Sequence, residues 1–158
     1  MIQNFGEGEP PRGKPGLTMT GSELIQAQID MLTAQVEACY AGLAPEDFER
    51  DIVPQMMKPA RVLDHLAECV HAFLAKRDGA EYDQWGVTGL TGTLEERMAA
   101  YRELRGQAKA GIAGREDERA LIAASDFLTA HDAYHVGQLV TMRLTLDPEW
   151  NAYSIYGH

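Results

Sequence analysis

Residues 117–146 read DERALIAASDFLTAHDAYHVGQLVTMRLTL and carry the longest helical pattern in the chain. Apolar side chains recur there at steps of three and four residues, the spacing that places them on one face of an α-helix. Asp147-Pro148 follows directly, and a proline disfavours helical conformation in the residue before it. The stretch therefore predicts one long amphipathic helix that ends at Leu146.

His131 and His135 are the unusual residues of this helix, because they lie four positions apart and so point the same way, one turn from each other. The other residues on their face are Ala124, Leu128, Gln138 and Met142. We therefore expect the two imidazoles in the core-facing stripe, where each has two ring nitrogens to satisfy. A bound metal ion would satisfy one nitrogen of each ring. The pair alone does not decide this, since histidines at this spacing are often ordinary surface or core residues.

Three further amphipathic segments precede this helix. They run from Thr20 to about Gly42, from Pro59 to about Arg77 and from Thr93 to about Gly111. Thr20 with Glu23, and Thr93 with Glu96, have the spacing of a capping box, and Pro59 suits a first helical turn. No strand-like alternation competes with this pattern. The sequence therefore predicts an all-α fold, a four-helix bundle.

The connection between the second and third helices, residues 78–92, is longer than a tight antiparallel turn requires. It could cross over the end of the bundle and make those two helices parallel. It contains Trp85 and the glycines Gly86, Gly89 and Gly92, a composition typical of a mobile flap over a site.

The second helix offers two more histidines, and its periodicity separates them. His65 falls on the flank of the apolar face, beside Cys69, so we expect it to point into the bundle. His71 falls on the opposite side with Asp64 and Glu68, which predicts that His71 is solvated. An ordinary flank histidine, bonded to a carbonyl or a carboxylate, is the alternative interpretation of His65.

The motifs on these two helices resemble the DinB/YfiT-like superfamily. They are RVLDHLAE at residues 61–68 and HDAYHVGQ at residues 131–138, followed by Arg143, and the resemblance extends over nearly the whole chain from Met19. It implies a four-helix bundle with an up-down-down-up path and a long crossover between the second and third helices. It also implies a homodimer.

The same resemblance implies one divalent metal ion held by His65, His131 and His135. Zinc or nickel is expected first, with iron, manganese or copper as further candidates, because three imidazoles accept all of these. Some relatives use low-molecular-weight thiols such as mycothiol or bacillithiol, so a thiol-dependent transferase or isomerase with a small-molecule substrate is implied. A hydrolase that uses metal-bound hydroxide is one alternative. A stress-linked protein that binds a metal or small ligand without catalysis is the other.

Four other residues are candidates for supporting the ion or contacting a substrate. Gln138 could orient a ligand imidazole, and Asp132 could bond a ligand or a neighbouring helix. Arg143 could bind an anionic substrate group, although a salt-bridged arginine is commoner. Cys69, one turn from His65, could be a core thiol, an oxidation-sensitive neighbour or a fourth ligand.

Composition bounds the remaining possibilities. The chain has 158 residues, 45% of them hydrophobic, and a formal net charge of -10, so nucleic acid and membrane surfaces are poor candidate partners. Cys39 and Cys69 lie in helical patterns, which favours a reduced, cytoplasmic setting over a disulfide framework. Residues 1–18 are rich in Gly and Pro and predict a flexible leader, with residues 19–158 as a single domain.

Overall fold

The computed structural model describes residues 18–87 and 89–157, and within these ranges the chain is all-helical, with no strand. The leader predicted for residues 1–18 lies, as far as residue 17, outside the described residues. The α-helices are α1 (Gly21–Tyr40), α2 (Pro45–Phe48), α3 (Pro59–Lys76), α4 (Leu94–Ile112), α5 (Glu118–Ala124) and α6 (His131–Leu146). In the same described part of the chain, no helix combines the length and the hydropathy needed to cross a bilayer.

The predicted helix starts are confirmed. Thr20 caps α1 and Thr93 caps α4, and in both cases the glutamate three residues later completes the capping box. Pro59 is the first residue of α3, where its missing N–H costs nothing. The short helix α2 was not predicted, because four residues are too few to show a period.

The apolar stripes of the long helices form the core. On α1 the buried members are Ile25, Ile29, Leu32, Val36, Cys39 and Tyr40, and on α3 they include Val62, Leu63, Leu66, Cys69, Val70 and Phe73. The C-terminal segment also contributes, since Trp150 and Ile155 pack against one of the two core clusters. Burial of these stripes is the main force that holds the helices together.

One buried ion pair crosses the core between α4 and α6. Arg105 Nη1 lies 2.6 Å from Asp132 Oδ2, and both side chains are almost completely buried. The Arg105 guanidinium also donates to Thr33 Oγ1 on α1 and to the carbonyl oxygens of Ile29 and Leu128. A single side chain on α4 thus contacts α1, α6 and the turn that precedes α6.

The contacts between α3 and α4 join like ends of the two helices. Near their starts, Arg97 Nη1 lies 3.7 Å from Asp64 Oδ1, and near their ends the Leu74 side chain lies against Gly111. The two helices therefore run in the same direction, and residues 77–93 connect the end of one to the start of the other.

Salt bridges between α1 and α4 join opposite ends instead. Arg102 pairs with Glu37, and Lys109 pairs with Asp30, at 2.7 Å in each case. Rising residue numbers on α4 meet falling numbers on α1, so these two helices are antiparallel.

The prediction of one uninterrupted α-helix over residues 117–146 is wrong in one respect. A π-helical turn, Ser125–Ala130, joins α5 to α6 immediately before His131. Leu128 remains buried in the core, so the turn changes the winding of the helix without moving its apolar face into solvent. Such turns are frequently found beside functional sites.

Candidate metal centre

His65 of α3 and His131 and His135 of α6 converge, and we call these three residues the histidine cluster. One possible ligand atom from each lies within 4.8 Å of the others. Ring centroids are 4.9 Å apart for His65 and His131 and 5.2 Å apart for His65 and His135. Nε2 of His131 lies 3.2 Å from Nε2 of His135. The convergence predicted from the sequence is therefore present in the fold.

His135 is held in one tautomer by Gln138. Nδ1 of His135 lies 2.7 Å from Oε1 of Gln138, whose amide nitrogen donates to the hydroxyl of Tyr134. Since the carboxamide oxygen only accepts, Nδ1 carries the ring proton and Nε2 presents a lone pair to the cluster. Burial, together with the neighbouring His131, lowers the pKa of His135 to about 4, so the ring is neutral at pH 7. Gln138 thus contacts the His135 ring from the side that its position suggested.

Glu68 holds His65 in the same way. Nδ1 of His65 lies 3.1 Å from Oε2 of Glu68, and Arg61 donates one hydrogen bond to each oxygen of this carboxylate. Burial acts to raise the pKa of Glu68, but the hydrogen bonds from Arg61 and His65 outweigh it and leave the pKa below its ordinary value. Glu68 is therefore a carboxylate, and its Oε2 accepts a hydrogen bond from the Nδ1–H of His65.

The helical periodicity placed Glu68 opposite the apolar face of α3, and this placement is wrong. Its side chain is 1% exposed. The charge of Arg61 offsets part of the free energy that burying this carboxylate costs. Arg61 precedes Glu68 by seven residues, close to two helical turns, so the two lie on one face of α3. That spacing was the available signal. His71, which was predicted to be solvated, is half-buried and lies outside the histidine cluster.

Cys69 contacts the cluster at the edge of His131. Its sulfur lies 3.4 Å from Nδ1 and 3.9 Å from Nε2 of that ring. Burial, reinforced by the charges of Asp132 and Glu68, raises the pKa of the thiol to about 12, so Cys69 is protonated at neutral pH. The contact agrees with a core thiol beside the site.

Two of the candidate supporting residues make their main contacts elsewhere. Asp132 pairs with Arg105, and its Oδ1 lies 4.0 Å from Nδ1 of His131. Arg143 stacks on Trp150, with its guanidinium carbon 5.2 Å from the ring centroid. Asp132 thus joins two helices, as one of its predicted roles required, and Arg143 packs against the C-terminal segment.

The connection between α3 and α4 lies beside the histidine cluster. Trp85 packs near His65, with ring centroids 6.0 Å apart, and it also contacts Tyr82 and Phe127. The backbone N–H of Gly86 donates to Oε1 of Glu68, at 3.1 Å. The segment predicted to cover a site is therefore held next to these histidines.

The donor set suits a divalent transition metal. Two nitrogens bound tetrahedrally at about 2.0–2.1 Å lie about 3.3 Å apart, close to the 3.2 Å between His131 and His135. The ligand atoms of all three rings lie within 4.8 Å of one another, so His65 would move closer to the other two rings on binding an ion. Three protein ligands leave a coordination position open, as in catalytic sites. His65 and His131 are 18% and 27% exposed, so the cluster reaches the protein surface.

Comparison of the chain with models of protein families, with curated proteins and with solved structures found no match in any of the three. The resemblance to the DinB/YfiT-like superfamily therefore stays a prediction that depends on the two helical motifs.

Proposed function

We propose that this protein is a metal-dependent enzyme in which the histidine cluster holds one divalent ion and a low-molecular-weight thiol takes the open position as the nucleophile of a transfer or isomerisation. The observation that carries the proposal is the convergence of three ring nitrogens from two helices within 4.8 Å. Zinc and nickel are the first candidates for the ion.

The ion would supply a Lewis acid that lowers the pKa of a coordinated thiol or water. The protein's own residues prepare its site. Glu68 and Gln138 hold the Nδ1 protons of His65 and His135, so both rings present Nε2. Neutral imidazoles add no charge and leave the positive charge of the ion available to the bound nucleophile.

The surrounding carboxylates favour thiol chemistry over hydrolysis by metal-bound hydroxide. A hydrolase needs a general base near the ion. Glu68 is committed to Arg61 and His65, and Asp132 is committed to Arg105. Neither carboxylate is available to take a proton from water without first losing an arginine partner.

For the fold, we propose a four-helix bundle with an up-down-down-up path and membership of the DinB/YfiT-like superfamily. The parallel contacts of α3 with α4 and the antiparallel contacts of α1 with α4 support that path. A homodimer in a cytoplasmic setting completes the proposal.

Metal binding is tested by measuring the stoichiometry and affinity of zinc and nickel for protein without a histidine tag. We expect one equivalent for the wild-type protein, and weak or absent binding for His65→Ala, His131→Ala and His135→Ala. His71→Ala is the matched control, because His71 lies on α3 outside the cluster, and it should bind like wild type. If the three cluster variants bound metal as well as His71→Ala and wild type do, the proposal would be contradicted.

Thiol coordination is tested on protein loaded with Co²⁺, whose absorption reports thiolate ligands. We expect a thiolate-to-cobalt charge-transfer band only after a small thiol is added, in both wild-type protein and Cys69→Ala. A band in wild-type protein before addition, absent from Cys69→Ala, would make Cys69 a fourth ligand and close the site. A tightly bound metal that takes up no thiol would leave a metal-binding protein without this activity.

A further inference from the structure

We propose that Glu68 is a positioning residue that joins the metal ligand His65 to the connection between α3 and α4, so that one carboxylate both orients a ligand and seats Trp85 beside the site. The inference rests on the proposed metal site. It adds a residue that is not itself a ligand, and it makes residues 85–86 part of the site.

The two oxygens of Glu68 are each used twice. Oε1 accepts from Nη1 of Arg61 at 2.8 Å and from the N–H of Gly86 at 3.1 Å. Oε2 accepts from Nη2 of Arg61 at 3.1 Å and lies 3.1 Å from Nδ1 of His65. Arg61 therefore balances the charge on both oxygens, and each oxygen keeps one further hydrogen bond for a different element.

Burying a carboxylate costs free energy that an apolar side chain would not cost. Its presence here therefore indicates a role that an apolar side chain cannot fill. Glu68 is fully buried, and replacing a buried ion pair with apolar side chains is often neutral or stabilising. Only a hydrogen-bond acceptor can fix the Nδ1 proton of His65 and so direct Nε2 toward the cluster. The fold thus retains a polar group where ligand orientation requires it.

The other bond, to Gly86, helps to hold Trp85 in place, together with its ring contacts to Tyr82 and Phe127. Gly86 has a φ of +80°, a conformation that favours glycine, and its N–H points at Glu68 while the preceding indole packs near His65. If Glu68 is lost, this attachment is lost, and Trp85 is freed together with the Nδ1 side of His65.

A second anchor on the same helix provides a matched control. Asp64 Oδ1 accepts from the N–H of Leu90 at 2.9 Å, one turn before Glu68. Asp64 therefore holds the same connection at a later point. Its truncation should loosen the connection at Leu90 and leave the Nδ1 bond of His65 in place.

The test compares Glu68→Ala and Glu68→Gln with Asp64→Ala. For zinc binding we expect a loss of about 10–100-fold in affinity for Glu68→Ala. Glu68→Gln should lose less, because its amide oxygen can still accept from Nδ1 of His65 as Gln138 does for His135, and Asp64→Ala should change by less than about threefold. Amide hydrogen exchange should accelerate at Gly86 in the Glu68 variants and at Leu90 in Asp64→Ala. Wild-type affinity in Glu68→Ala would overturn the inference and leave the metal site intact, whereas a wild-type protein that binds no metal overturns both.

A measurement on metal-free wild-type protein does not depend on whether the variants fold. In a solution basic enough to keep imidazoles neutral, the ¹⁵N shifts of His65 should place the single ring proton on Nδ1, with Nε2 free. A ring protonated at Nε2 would contradict the role of Glu68.

Discussion

Gln138 and Glu68 each form a hydrogen bond with one ring nitrogen of a histidine in the cluster. Each accepts from the Nδ1 side of a histidine, and each lies three residues beyond the ring that it holds. Two helices thus use the same short spacing to present Nε2 atoms to a common point. A hydrogen-bond acceptor at Nδ1 fixes the orientation of the ring and raises the basicity of Nε2, the nitrogen that would bind the metal.

Gln138→Leu should therefore weaken zinc binding by about 10-fold or more, because the bond that orients His135 is lost. Competition with a chromophoric chelator measures the affinity. Thr141→Val, an exposed position on the same helix, is the control and should bind like wild type. An unchanged affinity for Gln138→Leu would mean that packing alone holds the His135 ring.

At the residue scale, the three histidines and the role of Gln138 could be predicted, because both follow from spacing within one helix. Glu68 could not be placed by the hydrophobic pattern, which treats a glutamate as a solvent-facing residue. Its burial depends on the Arg61 guanidinium and on the N–H of Gly86, and the second of these belongs to a segment without periodicity.

Among the elements, the start of α1 is stabilised from outside by Glu116. The carboxylate accepts from the N–H groups of Gly21 and Ser22, at 3.1 and 3.0 Å, so it neutralises free donors at the helix N-terminus. Hydrogen bonds from the Ser22 side chain and backbone are the main causes that lower the pKa of Glu116.

A lowered pKa in the folded state means that the stability due to Glu116 is present above its unfolded pKa of about 4.3 and is lost as the pH falls through the folded value. Glu116→Gln should therefore melt a few degrees below wild type at pH 7. The difference should shrink as the solution is acidified below pH 4, as thermal melts over a pH series can show. A constant difference at all pH values would mean that charge is not involved.

The Arg105–Asp132 pair ties α4 to α6, and removing one partner leaves the other charge buried. Asp132→Asn should lower the free energy of unfolding by about 3–5 kcal/mol. In a separate cycle, the double variant Arg105→Met/Asp132→Leu should lose less unfolding free energy than Arg105→Met and Asp132→Leu lose together. Urea unfolding of the four proteins in this cycle measures the coupling, and strict additivity would contradict a direct interaction.

The boundaries of α1, α3 and α4 were predictable because capping boxes and an N-terminal proline are local signals. The π-helical turn before His131 was not, since residues 125–130 satisfy the same apolar spacing in either winding. The sequence also left the direction of α4 relative to α3 open, because that direction depends on contacts between distant parts of the chain, such as that between Asp64 and Arg97.

For the whole molecule, the histidine cluster is a link between α3 and α6, so metal binding should stabilise the entire fold. At a free metal concentration of about 100 times Kd, the gain is about 2.7 kcal/mol, which raises Tm by roughly 5–10 °C in a chain of this size. Thermal melts with zinc and with a chelator measure the shift. His71→Ala should keep the shift and His65→Ala should lose it; a shift that survives in His65→Ala would place the metal elsewhere.

An anomalous-difference map at the zinc edge, from crystals grown with one equivalent of the metal, tests the shared site most directly. We predict a single peak with His65, His131 and His135 each contributing one nitrogen at about 2.0–2.1 Å, and with Nε2 as the donor of His65 and His135. A map with no peak between the three rings, or with the ion bound by the α6 histidines alone while His65 stays bonded only to Glu68, would contradict it.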